Sequence, residues 1–137
     1  MERTFVMLKP DAVRRALIGQ IISRFENRGF KILAMKMVTP SLSLAKSHYS
    51  VHEGKPFYNG LIEFITSGPV VAMIIEADDA VALVRQMMGS LKPSQAEPGT
   101  IRGDLTVNCQ QNLIHGADSI ESAEFEISIW FPELIQN

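Results

Sequence analysis

The sequence of 137 residues contains a single cysteine, Cys109, so no intrachain disulfide can staple the fold. That composition suits a reducing compartment. No apolar stretch approaches the ~20 residues a membrane span needs. The longest runs from Pro69 to Ile75 and has the size of a strand. Near the N-terminus, Phe5 to Leu8 is cut short by Lys9 and Pro10, which is too little for the core of a secretory leader. A cytoplasmic protein is expected. Strong charge of either sign is also lacking: 13 Lys and Arg face 15 Asp and Glu, for a net charge of −2. Bulk attraction to nucleic acid is therefore not expected, although a local basic cluster can still hold a small anion. Familiar nucleotide and metal signatures are missing too. There is no Walker-type loop and no dinucleotide fingerprint. Neither Gly-Xaa-Ser-Xaa-Gly nor zinc-type Cys or His-Glu-Xaa-Xaa-His spacing is found.

What is present fits one globular domain spanning residues 1–137. At 46% hydrophobic, the chain can bury a sizeable core. Thr4 to Lys9 reads as a buried strand ended by a turn at Pro10-Asp11. Leu17, Ile18, Ile21, Ile22 and Phe25 recur at helical spacing, and Arg28-Gly29 is a stop signal. Phe30 to Thr39 is β-like, with Ile32, Ala34 and Lys36 on one face and Leu33, Met35 and Met37 on the other. Ser41 to His52 reads as a helix that Ser41 or Ser43 can cap. A second helix is expected from Pro56 to about Thr66. Ser67-Gly68-Pro69 is a turn, and Val70 to Glu76 reads as a central strand. Asp78 or Asp79 can cap a helix from Ala80 to Met88. Ser90 to Asn112 shows no periodicity, and a long irregular stretch of this kind is usually functional. Leu113 to His115 completes the strands, and Ser119 caps a last helix to about Ile127. Trp130 and Phe131 are expected to pack the tail onto the core. The order points to an α+β sandwich. It is ferredoxin-like, βαββαβ, with a four-stranded antiparallel sheet and helices covering one face.

Among the three histidines, His48 and His52 share a helix at i, i+4. Two ligands without a third read as ordinary surface or capping residues. His115 differs, because it sits between apolar Leu113-Ile114 and Gly116, and the missing side chain there lets a ligand approach closely. Glu126 in the next helix can take a hydrogen bond from one ring nitrogen and leave the other free to attack. Lys9 at a strand end, Arg85 before the long loop and Arg102 within it are each solvated charges on the bland reading. Together with a nucleophilic histidine they form an anion clamp of the kind phosphoryl transfer requires. Phe57, at the start of a short helix, can stack on a base without reading it.

Four segments carry a resemblance: Lys9-Pro10-Asp11-Ala12-Val13, Ser67-Gly68-Pro69-Val70-Val71, Pro98-Gly99-Thr100-Ile101-Arg102-Gly103-Asp104 and Asn112-Leu113-Ile114-His115-Gly116. In this order, and from Arg3-Thr4 to Trp130-Phe131, the chain resembles the nucleoside diphosphate kinase family. The resemblance implies a ping-pong reaction. A nucleoside triphosphate gives its γ-phosphoryl to a histidine, and a nucleoside diphosphate collects it. By motif, His115 is the nucleophile, oriented by Glu126 and supported by Tyr49. Lys9 meets the transferring phosphate and ribose, Asn112 binds the sugar, Arg85 and Arg102 hold phosphates, and Phe57 stacks on the base. Mg2+ is expected on the nucleotide's phosphates rather than in a protein cage. A homo-oligomer, hexamer or tetramer, is also implied, with the loop around Pro93 or the tail Pro132 to Asn137 reaching a neighbour. Two positions depart from the family. Ala117 replaces a usual serine, and Leu91 stands where a phosphate-touching threonine is usual. Each loses a hydroxyl, so a slower enzyme is expected rather than a dead one. A nucleotide-binding regulator that has lost catalysis, or a nucleic-acid binder, would need those losses or a basic groove to dominate.

Overall fold

A computed structural model describes residues 1–134 of the chain. The strands are β1 (Glu2–Leu8), β2 (Lys31–Val38), β3 (Val70–Ala77) and β4 (Ile114–Gly116). The helices are α1 (Pro10–Arg14), α2 (Ile18–Arg28), α3 (Leu42–His48), α4 (Tyr58–Ile65), α5 (Ala80–Met88), α6 (Ile101–Leu105) and α7 (Ile120–Trp130). The sheet order is β2-β3-β1-β4, with every neighbouring pair antiparallel. This is the ferredoxin-like arrangement expected from the sequence.

One expectation is corrected. Helices cover both faces of the sheet, not one. On β1, Val6 and Leu8 face a core built with Ile21 and Phe25 of α2 and Val84 and Met88 of α5. Phe5 and Met7 point the other way, into a core with Ala45 of α3, Ile62 and Ile65 of α4, and Trp130 of α7. β3 alternates likewise, sending Val71, Met73 and Ile75 to the first core and Val70, Ala72 and Ile74 to the second. A strand buried on both faces has no polar face to alternate with. That is why β1 and β3 read as continuous apolar runs.

The edge strand β2 departs from strict alternation. Its register against β3 shifts between Ile32 and Ala34, pairing them with Ile75 and Ile74. The extra residue of this bulge moves Ile32 onto the first core and Ala34 onto the second, so the two do not share a face as simple alternation predicts.

Other local differences have local causes. Pro10 opens α1 where a simple turn was expected, because its fixed φ suits the first helical position. The helix expected from Ser41 to His52 stops at His48 and continues only as a 3-10 turn, Ser50–His52. Ser41 is its cap, with Oγ accepting from the Leu44 amide at 3.1 Å. α5 is capped by neither Asp78 nor Asp79 through a side chain. Instead Oε1 of Glu2 reaches across to the Val81 amide at 2.8 Å. The stretch from 90 to 112 is not structureless, since it carries a 3-10 turn at Pro93–Gln95 and α6. Five residues are too few to show a helical period. Ser119 caps α7 as expected, but the helix runs on to Trp130.

Candidate active site

The carboxyl end of β1 and the short strand β4 lie side by side, pairing Met7 with His115 and Leu8 with Ile114. Lys9 therefore leaves β1 next to the segment that precedes His115. Its amide donates to the Leu113 carbonyl at 2.8 Å, and its Nζ donates to Oδ1 of Asn112 at 2.8 Å. Asn112 spends its own amide on the Cys109 carbonyl at 3.0 Å. Leu113 holds a left-handed φ of 75°, which is costly for a side chain of this kind. Its amide is held by Oδ2 of Asp11 at 3.1 Å. The other oxygen of the buried Asp11 carboxyl has no hydrogen-bond partner.

Arg102 is buried and grips three carbonyls on two segments. Nε donates to the Asn112 carbonyl at 3.1 Å, Nη1 to Gly89 at 3.0 Å, and Nη2 to Ile114 at 2.6 Å. Nη2 also meets Oδ1 of Asn112 at 3.5 Å. Of the guanidinium's five N–H donors, one on Nη1 remains uncommitted. Arg85 is exposed on α5 and donates to the Gly116 carbonyl at 3.2 Å. Burial, then the neighbouring Arg102, pushes the Lys9 ammonium down to about 8. Burial, then Arg85, pushes Arg102 down to about 10. These cations destabilise one another, so the site favours an incoming anion.

His115 stands on β4 with Nε2 2.8 Å from Oε1 of Glu126. Burial first, then Lys9, Arg85 and Arg102, pushes the imidazole down to about 3, so it is neutral at physiological pH. Burial pushes the Glu126 carboxyl up to about 7. With Nε2 engaged as an N–H donor, the lone pair of a neutral ring lies on Nδ1.

Other sequence candidates make their own local contacts. Tyr49 is buried against the His48 ring, and burial followed by the charge of Glu126 raises its hydroxyl, which keeps its proton. Phe57 is half exposed at the start of α4, with its ring 5.2 Å from that of His52. Leu91 is exposed on the loop after Gly89. Ala117 is fully buried, its amide donating to the Phe5 carbonyl at 3.2 Å.

Two expectations change. His48 is not a surface or capping residue. It is buried against His115, ring centroids 4.6 Å apart and edge to face. Nor does Gly116 serve mainly to admit a ligand. A Cβ there would lie 2.7 Å from Sδ of Met88 and 2.9 Å from Cγ1 of Val84, so the glycine lets α5 pack on β4. Asp11, His48 and Trp130 were not read as site residues. For Asp11 the signal was its place in Lys9-Pro10-Asp11, but no local pattern announces a partner more than a hundred residues away.

Comparison with known proteins places this geometry in context. The family model described as nucleoside diphosphate kinase matches residues 2–135. A nucleoside diphosphate kinase of Exiguobacterium sp. (strain ATCC BAA-1283 / AT1b) is 57% identical over 134 residues, covering 98% of this chain and 96% of its own. Two solved structures are also similar. One is the apo, cubic-form nucleoside diphosphate kinase of Encephalitozoon cuniculi, at 44% identity and a TM-score of 0.95, covering 100% of this chain and 93% of that one. The other is a halophilic nucleoside diphosphate kinase from Halobacterium salinarum in complex with CDP, at 50% identity and a TM-score of 0.92, covering 95% and 87%.

Proposed function

Since the chain belongs to the nucleoside diphosphate kinase family, a family of phosphotransferases, we propose that His115 carries the phosphoryl group between its two nucleotides. The observation that supports this most is the pairing of Nε2 with Glu126 at 2.8 Å, which leaves Nδ1 as the free nucleophile among Lys9, Arg85 and Arg102.

In the first half-reaction the Nδ1 lone pair forms a bond to the γ-phosphorus of a nucleoside triphosphate. The bond from that phosphorus to the β,γ-bridging oxygen breaks, and its electron pair leaves on the nucleoside diphosphate. Positive charge develops on the ring, and Glu126 shares it through the Nε2 proton. A carboxyl held at about 7 is well matched to that sharing. The second half reverses these steps onto another diphosphate, so one site serves both nucleotides. Lys9, Arg85 and the free N–H of Arg102 offset charge on the transferring oxygens, where preorganised donors contribute most. Asn112 supplies a polar contact to the sugar, and half-exposed Phe57 a face for the base. Tyr49 packs His48 against the nucleophile.

Mg2+ fits this reading as a passenger on the nucleotide, where it would neutralise phosphate charge. Around His115 stand the cations Lys9, Arg85 and Arg102 and the imidazole of His48, and the Glu126 carboxylate is engaged with Nε2, whereas Mg2+ prefers a set of free oxygen ligands. The chain would work as one domain in the cytoplasm; among the described residues no helix is long and apolar enough to cross a membrane. A homo-oligomer, tetramer or hexamer, belongs to the same reading. Exposed Leu33, Met35 and Met37 along β2 offer a second copy an apolar edge. The tail proposed to reach a neighbour lies partly outside the described residues.

The test is direct. Purified protein mixed with γ-labelled ATP and Mg2+ should take up acid-labile, base-stable label and pass it to GDP. Label that persists in His115→Ala, or label that GDP does not discharge, would overturn the assignment.

A further inference from the structure

His48 enters the scheme above only through packing and Trp130 not at all, yet both are buried beside its centre. Trp130 is the last residue of α7, four positions after Glu126. That spacing puts both on one face of the helix. Glu126 faces His115, and Trp130 faces His48, with Nε1 of Trp130 3.0 Å from Nδ1 of His48. Trp130 is itself held by a stacked contact with Phe5, centroids 5.4 Å apart. One nitrogen of His48, one of His115 and a carboxylate oxygen of Glu126 lie within 4.8 Å of one another.

An indole nitrogen can only donate. The Nδ1 of His48 must therefore be the acceptor, and a neutral ring then carries its proton on Nε2. We propose that Trp130 is a positioning residue for the nucleophile: its N–H locks His48 in the Nε2–H tautomer, so that His48 offers the Glu126 carboxylate a donor and not a competing base. With the opposite tautomer, His48 would present a lone pair within the cluster. Beside that lone pair the Glu126 carboxylate would be disfavoured, and a protonated carboxyl would donate to Nε2 of His115 and leave the ring proton on Nδ1, so the tautomer that frees Nδ1 would be less populated. The same lock disfavours a metal ion in this cluster, because ligation needs that lone pair.

The lock also opposes protonation of His48, since the imidazolium would set one N–H against another. Burial, His115, Lys9 and His52 act in the same sense, and Glu126 opposes them. His48 faces His115 from β4, Lys9 beyond β1, and Tyr49 and His52 from its own segment, with Glu126 of α7 the one carboxylate. Its ring is pushed down to about 3 by burial first and His115 next.

The proposal rests on His115 as nucleophile, and the tests separate the two. Long-range nitrogen–proton NMR on labelled protein at neutral pH should show His48 protonated on Nε2 alone. A proton on Nδ1 overturns the proposal whatever the nucleophile is. Trp130→Phe removes the donor and keeps an aromatic ring. Its single-turnover phosphorylation by ATP should slow several-fold, up to about tenfold for one lost hydrogen bond, and the acid limb of the pH profile should move to higher pH. Gln at position 48 can accept from the indole but has neither tautomers nor a basic nitrogen. In a His48→Gln background, Trp130→Phe should leave the acid limb unmoved. If it moves the limb equally in both backgrounds, or moves it in neither, Trp130 is only a packing residue. Should Trp130→Phe fail to fold, the NMR tautomer of the unaltered protein decides. Loss of labelling in His115→Ala checks the underlying assignment independently.

Discussion

Arg102 combines a charge for the substrate with a structural clamp, and Arg102→Lys separates the two. The guanidinium bonds the carbonyls of Gly89, Asn112 and Ile114, which end α5, precede Leu113 and open β4. A lysine keeps the charge but has a shorter reach and no planar fork, so it can serve one of these oxygens well. Two carbonyls then lose a charged donor, each worth about 1.5–3 kcal/mol. Allowing for non-additivity and water entry, the expected loss is about 3–5 kcal/mol, a large share of the ~5–15 kcal/mol that domains have. At roughly 3 °C per kcal/mol for a domain of this size, Tm should fall by about 10–15 °C. Thermal unfolding by circular dichroism at pH 7 measures it, and phosphorylation should be assayed well below the new midpoint. A fall under about 3 °C, with activity lost, would refute the clamp and make Arg102 purely a ligand for phosphate.

Two more outcomes follow from the same site. Restoring the family's hydroxyls with Ala117→Ser and Leu91→Thr should raise turnover by a few-fold to about tenfold, the worth of one or two hydrogen bonds; unchanged steady-state kcat would dismiss their loss as a brake. Acid should destabilise the fold in two stages, measured by urea unfolding from pH 7 to 3. Unfolded, both imidazoles take a proton below ~6.5, whereas in the fold they resist until about 3. The unfolded state thus binds more protons, and stability falls as pH drops. Glu126 opposes this between its ordinary value of 4.5 and about 7, because there its folded form holds a proton that the unfolded chain releases. Below that window the two histidines act unopposed, and the slope should approach ~2.7 kcal/mol per pH unit. A flat profile between pH 4.5 and 3 would show that the imidazoles are not held neutral.

Sequence alone carried the order of the main elements, α1 and α6 excepted, and most of the candidate site. The apolar runs of β1 and β3, the spacing of α2 and the caps Ser41 and Ser119 are local signals, since neighbours along the chain generate them. His115, Glu126, Lys9, Arg85, Arg102 and Asn112 were legible through motif resemblance. What local pattern could not hold was decided by the tertiary structure. An apolar strand reads the same under one layer of helices or two, so the second covered face appeared only when both cores did. The bulge in β2 reversed its facing because register depends on the partner strand. His48 looked like a surface histidine until α7 brought Trp130 to its Nδ1. Asp11 gained meaning only beside Leu113. Hydrogen bonds between residues far apart in the chain, such as Lys9 with Asn112 and Trp130 with His48, leave no periodicity in a sequence, and only the fold brings them together around His115.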